Sequence, residues 1–252
     1  MDRCFVIDET ALKEFGSDGE VIKYLVKELA HKNLDIYITV NSVLGYPKTY
    51  VKNGIKYKVI PVSSIEKTRK WLKDNYGVNM KPIEIPKCLR CFSPDYEILS
   101  GKELIKSQKT TSDYFIKRID ELKLWNNLLY DSDVSSYIVD DATYSVSPKR
   151  NILSEYRVFV HNDKIVGCQP YITNTLAFPN VALLETMVDI YKEQDNSRPR
   201  AYTLDIAVRN REGLIMPLEV HPFVSCGLYG FEDNLILDML ESGLDYYINQ
   251  NQ

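Results

Sequence analysis

Apolar and polar positions alternate from Thr203 to Val208 in the C-terminal part of the chain, and Gly213 to Val220 forms a second, apolar run. The connection between them, Arg209 to Glu212, is short and polar and is followed at once by a glycine, so the two runs are expected to pair as a hairpin. Each run carries an acid, Asp205 in the first and Glu219 in the second, and His221 follows two positions after Glu219. A carboxylate among strand-forming apolar residues is costly to bury unless a cation neutralises it. Period two sends Glu219 and His221 to one face, and a register that sets Asp205 opposite them would converge three oxygen or nitrogen donors. For either acid alone, the alternative is a turn cap or an arginine partner.

Upstream, Cys4 to Ile7 is a short apolar run ending in Asp8, Glu9 and Thr10, the pattern of a strand leading into a helix. Between Thr10 and Lys32 the apolar residues recur at helical spacing, interrupted by Gly16-Ser17-Asp18-Gly19. Leu34 to Val40 and Tyr57 to Val62 have strand character, separated by a turn-like stretch around Asn53-Gly54. Ser64 then caps a helix reaching Tyr76, with Ile65, Thr68, Trp71 and Leu72 on one face. These elements suggest a small α/β module, and it contains neither a Gly-x-Gly-x-x-Gly nor a Gly-Lys-Ser/Thr loop. Proline-rich, weakly periodic sequence from Lys81 to Thr111 suggests a connection between modules, dividing the chain into residues 1–110 and 111–252.

Beyond it, strands are expected at Asp113 to Arg118 and at Ser136 to Val139, with an extended connector at Val146-Ser147-Pro148. Glu155 to His161 and Lys164 to Tyr171 form a second hairpin around Asn162-Asp163. Asn180 caps a helix ending near Gln194, and Phe231 to Asn249 closes the chain as another.

Composition narrows the function classes. The 252 residues are 44% hydrophobic and 26% charged, ordinary for a globular protein. A formal net charge of -4 gives no electrostatic footprint for nucleic acid. No run has the length of a membrane span, and Met1-Asp2-Arg3-Cys4 does not open a signal peptide, so a cytoplasmic protein with no membrane partner is expected. Five cysteines, an odd number, argue against a disulfide framework. Cys88 and Cys91 form one Cys-x-x-Cys with no second pair at zinc-ribbon distance, which favours a loop holding two thiols over a metal site.

Cations come from three separate segments: Lys117 and Arg118 at a strand end, Lys123 beyond it, and Arg157 inside the strand Glu155 to Val160. An inward Arg157 needs an anion, either Glu155 on its own face or a bound phosphate. Cations followed by carboxylates able to hold magnesium make a polyphosphate site a coherent explanation.

The chain resembles the ATP-grasp enzymes, and within them the compact amidoligase-like clade of bacteria and phages. The resemblance rests on Phe115-Ile116-Lys117-Arg118 with Lys123-Leu124-Trp125, on Ser154 to Phe159, on Tyr202-Thr203-Leu204-Asp205, and on Leu218-Glu219-Val220-His221 with Gly227-Leu228-Tyr229-Gly230. It covers roughly Thr111 to Phe231 and implies an α+β fold in which two lobes clasp ATP, preceded by the small N-terminal module. The family's magnesium-binding Asp and Glu-x-Asn map onto Asp205, Glu219 and His221, the last a departure in which imidazole replaces an oxygen donor. A second departure is that the family usually has proline after the strand-end cation, where this chain has Arg118 followed by Ile119. The resemblance further implies adenine beside Tyr144 to Pro148, with Ser147 among its contacts, and a triphosphate reached by Lys117 or Arg118, Lys123 and Arg157. The implied activity joins a carboxylate to an amine, of a small molecule or a peptide, through an acylphosphate. Arg157 would act on the transferring phosphoryl group, with ATP and Mg2+ required. The alternative is a nucleotide-binding or interaction module of the same fold with weakened catalysis.

Overall fold

The computed structural model describes residues 2–10, 24, 27, 36–120, 125–127, 130, 132–172, 176–224 and 226–250. The expected helix between Thr10 and Lys32 lies almost wholly outside them. Three sheets organise the chain. The first joins β1 (Asp2–Asp8), β2 (Ile36–Val40), β3 (Thr49–Lys52) and β4 (Ile55–Val62) in the order β2-β1-β4-β3. Within it β1 lies parallel to β2 and β4, whereas β3 and β4 form a hairpin. That turn places Asn53 and Gly54 at φ 51° and 80°, the left-handed backbone a two-residue hairpin requires.

Helix α1 (Ile65–Tyr76) starts where expected, the Ser64 side chain accepting from the Lys67 amide. It buries Thr68, Trp71 and Leu72 against the first sheet. The connector is more structured than its prolines suggest. It holds a 3-10 turn (Lys87–Phe92), strand β5 (Glu97–Ser100) and helix α2 (Gly101–Lys106). A reciprocal capping box between Ser100 and Glu103 starts α2.

The second sheet is β5, β6 (Tyr114–Arg118) and β7 (Thr143–Pro148) in the order β5-β7-β6, all antiparallel. The sheet therefore draws strands from both sides of position 110. Two expectations change here. Residues 146–148 are part of the central strand of this sheet and not a connector between elements. The strand expected at Ser136 to Val139 is instead a 3-10 turn (Ser135–Tyr137). Asp133 accepts from the Ser135 amide at 2.9 Å, and such a local side-chain bond competes with extended pairing.

The third sheet contains β8 (Ser154–His161), β9 (Lys164–Ile172), β10 (Ala201–Val208) and β11 (Ile215–Pro222) in the order β11-β10-β8-β9, all antiparallel. One face carries Tyr156, Val158, Val160, Leu204, Ile206 and Val220 against α3 (Val181–Gln194). On the other face the sheet contributes Phe159 and Ala201 to a core shared with the first sheet and with α4 (Ile236–Asn249). Lys58 of β4 ties to Glu241 and Asp245 of α4 at 2.9 and 2.5 Å.

Gly243 lets α4 cross against the chain at Phe223, since a Cβ there would stand 2.1 Å from the Phe223 carbonyl oxygen. Gly243→Ala gains about 1 kcal/mol of helix propensity. The clash is with backbone, which cannot rotate away, and overpacking of this kind costs about 1–3 kcal/mol. A lowered melting temperature is the expected result, and an unchanged or raised one would contradict the close crossing.

Candidate active site

Strand alternation divides the side chains of β6 and β7 between a core and a cavity. Ile116, Tyr144 and Val146 are buried together on one side. Phe115, Lys117, Ser145 and Ser147 line a cavity of about 450 Å³ on the other. Its far wall is made by Glu84 and Ile85 of the connector, by residues 216–219 of β11, and by Glu155 and Tyr171. The cavity thus lies between the second and third sheets, beside the β7 segment where the resemblance implies adenine.

Only one of the two cations expected at the end of β6 can face this space. Lys117 does, whereas Arg118 falls on the opposite face, where Asp120 takes its Nε and Nη2 at 2.7 Å each. The expectation that either of them could meet the nucleotide is narrowed to Lys117. Lys123 lies outside the described residues.

Across the third sheet, Gln169, Arg157, Asp205 and Glu219 stand abreast on β9, β8, β10 and β11. The hairpin register is the one that brings the acids together, with Asp205 opposite Glu219 and Thr203 opposite His221. Ligand atoms of Asp205, Glu219 and His221 all lie within 4.8 Å of one another. The partner of Arg157 is Asp205, gripped through Nε and Nη2 at 2.8 and 2.7 Å, and not Glu155. The physical reason is spacing: same-face neighbours on a strand are about 7 Å apart, while a cross-strand pair is about 5 Å apart. Glu155 accepts instead from the Tyr171 hydroxyl. Arg157 Nη1 donates to the Gly227 carbonyl at 3.2 Å, and the Tyr229 ring covers the guanidinium at 5.1 Å.

Charges at the site are closely balanced. Lys117 Nζ contacts Glu219 Oε2 and lies 2.8 Å from Glu84 Oε1, while His221 Nε2 is 2.7 Å from Glu219 Oε1. Burial opposes charge on Glu219, but His221 and Lys117 outweigh it and hold the carboxyl far below the usual range. Burial likewise opposes the Lys117 ammonium and is overcome by Glu219 and Glu84, so Lys117 remains charged well beyond neutral pH. For Arg157, Asp205 outweighs burial in the same way. At Glu84 burial prevails over Lys117 and raises the carboxyl.

Glu84 is a site residue that sequence reasoning misses. Its backbone pairs with Val220 of β11, and it holds φ 57°, a left-handed conformation uncommon outside glycine. The signal available is a lone acid between Ile83 and Ile85, flanked by Pro82 and Pro86. Cys88 and Cys91 sit in the 3-10 turn, Cys91 Sγ donating to the Cys88 carbonyl at 3.5 Å. Among the described residues, Asp205, Glu219 and His221 are the one group of three or more potential metal ligands.

The donor set fits a hard divalent cation. Two carboxylates on paired strands supply four oxygens, each with a lone pair beyond its present partner, and the neighbouring Lys117 and Arg157 suit phosphate oxygens. Imidazole is the softer member, and its Nε2 stands within bonding distance of Glu219 Oε1.

A cavity between two antiparallel sheets, one offering Lys117 and the other Glu219 with Asp205 paired behind it, defines the two-lobed clasp of the ATP-grasp fold. A family model of the ATP-grasp domain, the second family of its clade, matches residues 98–239, and the chain belongs to that ATP-grasp family. Among solved structures it is similar to D-alanine–D-alanine ligase from Bacillus anthracis, at 13% identity and a TM-score of 0.57, over 100% of both chains. It is similar to D-alanyl-alanine synthetase A from Vibrio cholerae, at 11% identity and 0.53, over 99% of both. The ATP-grasp ligase PsnB complexed with a minimal precursor is 11% identical with a TM-score of 0.52, over 96% of this chain and 99% of that one. At these identities the likeness concerns the fold, and it bears out the α+β ATP-grasp expectation. A comparison with curated proteins finds no significant match. No helix of the described residues is long and apolar enough to cross a membrane.

Proposed function

We propose that the protein is an ATP-dependent carboxylate–amine ligase that forms an amide through an acylphosphate. One observation carries this reading: Asp205, Glu219 and His221 converge within 4.8 Å, and Glu219 among them lines a cavity whose other wall presents Lys117. Phosphoryl transfer asks for positioning and charge neutralisation more than for a protein nucleophile, and that is the inventory here. A substrate carboxylate oxygen attacks the γ-phosphorus while the bond to the bridging oxygen breaks and ADP leaves. An amine nitrogen then attacks the acyl carbon, the bond to the phosphate oxygen breaks, and inorganic phosphate departs as the nitrogen loses a proton.

Lys117 neutralises phosphate oxygens from the β6 wall, and Arg157, freed in part from Asp205, binds the transferring phosphoryl group through its planar fork. Asp205 and Glu219 would hold Mg2+, with His221 as third donor or as the orienting partner of Glu219. Bound there, the cation supplies charge neutralisation of the terminal phosphates. Ser147 lies beside the nucleotide base. The N-terminal module, built on the first sheet and α1, contributes substrate contacts to the ATP-grasp domain. D-alanine–D-alanine ligases and a ligase complexed with a precursor peptide share the fold, which supports a small-molecule or peptide substrate.

His221→Asn tests the departure at the metal site. It restores an oxygen donor and keeps a hydrogen-bonding group beside Glu219, so magnesium-dependent ADP release is expected to hold or rise. Loss of turnover in a folded variant would show that imidazole has its own role. A second reading, a nucleotide-binding module with weakened catalysis, is favoured by the Arg157, Lys117 and His221 side chains that already engage every oxygen of Asp205 and Glu219. Its signature is magnesium-dependent ATP binding with no ADP release in the presence of carboxylates and amines.

A further inference from the structure

We propose that Glu84, which lies outside the stretch matched by the family, is a positioning residue that holds Lys117 in the cavity when Glu219 turns to a metal ion. The inference rests on the ligase-site reading and extends it to the connector. Glu84 is 4% exposed and is fixed at both ends. Its carbonyl accepts from the Val220 amide at 3.0 Å, locking the connector to the residue after Glu219. Its Oε1 lies 2.8 Å from Lys117 Nζ, a charge pair whose angle is not that of a well-formed hydrogen bond. The backbone that permits this reach is left-handed at φ 57°, and such conformations in non-glycine residues persist where surrounding structure over-determines them.

Lys117 is thus shared by two carboxylates, Glu84 and Glu219. Glu219 cannot be at once the full partner of a half-buried ammonium and a ligand of a divalent cation, because both draw on the same oxygen charge. With Glu84 in place, the ammonium keeps an anion when Glu219 is claimed, and it stays on the cavity wall where phosphate oxygens would meet it. Without Glu84, Lys117 depends on Glu219 alone and competes with the metal for it. A purely structural Glu84 would neutralise a half-buried lysine and affect stability only.

The two roles separate in a Mn2+ titration of the full chain in the presence of AMP-PNP, followed by electron paramagnetic resonance. Glu84→Gln, which keeps shape and removes charge, is expected to weaken Mn2+ binding by about tenfold, the scale of outer-shell changes at metal sites. Glu84→Gly removes the same carboxylate while suiting the left-handed backbone, so it should melt no lower than Glu84→Gln and show the same weakening. In a Lys117→Met background, Glu84→Gln should change Mn2+ affinity by less than about twofold, as for uncoupled sites. Parent-like Mn2+ affinity in both Glu84 variants, or an equal loss in the Lys117→Met background, would overturn the positioning role and leave the ligase reading intact. A parent that binds no Mn2+ with AMP-PNP would overturn both.

Discussion

Asp205→Asn is expected to lose ATP turnover and stability together. The carboxylate is 2% exposed and Arg157 9%, and they form a two-bond pair inside the third sheet. Removing one charge orphans the other, which typically costs about 3–5 kcal/mol. In a chain of this size that lowers the melting temperature by on the order of 10 °C. Turnover should fall by about a thousandfold, because a metal ligand and the orientation of Arg157 go at the same time. Thermal melting and ADP release measured on one preparation check both halves. A variant as active as the parent would remove Asp205 from the metal site, and an undiminished melting temperature would contradict the buried pair.

Glu219→Gln is expected to separate the two effects. Its side chain is 25% exposed and stands at the edge of the cavity between Lys117 and His221. Glutamine keeps an acceptor for one of them, so the loss of stability is about 1–2 kcal/mol at most, reduced further by solvent screening. The loss of turnover should match that of Asp205→Asn, since the missing charge is again one that a divalent ion needs. Near-normal magnesium-dependent turnover in Glu219→Gln would place the metal elsewhere.

The parts of the site legible in the sequence are those set by strand period and hairpin geometry. Two strand-like runs and a short turn announce the hairpin of Asp205 and Glu219, but the pairing counted from the turn would set Asp205 opposite Leu218, and an irregularity between Asp205 and Ile206, which the sequence does not announce, brings it opposite Glu219. Ser64 and Asn180 are readable as caps because a cap is a local bond between a side chain and an amide a few residues on. Alternation along β6 separates Lys117 from Arg118 once Ile116 is known to be the core position. What stays hidden depends on partners distant along the chain. Arg157 meets Asp205 and not its neighbour Glu155, a choice made by sheet order. Glu84 joins the site only because the connector pairs with β11, which no local pattern announces. The turn at Ser135–Tyr137 reads as a strand for the opposite reason: its apolar residues suggest pairing, while Asp133 bonds it locally.

The central claim, phosphoryl transfer to a carboxylate, is tested most directly by the phosphorus products. ATP and Mg2+ would be incubated with the protein and pooled amino acids and short peptides, and followed by 31P nuclear magnetic resonance. The account predicts ADP and inorganic phosphate in equal amounts, formed only when carboxylate and amine are both present and lost in Glu219→Gln. AMP and pyrophosphate would contradict it, because they would mean attack at the α-phosphorus and an adenylate in place of an acylphosphate.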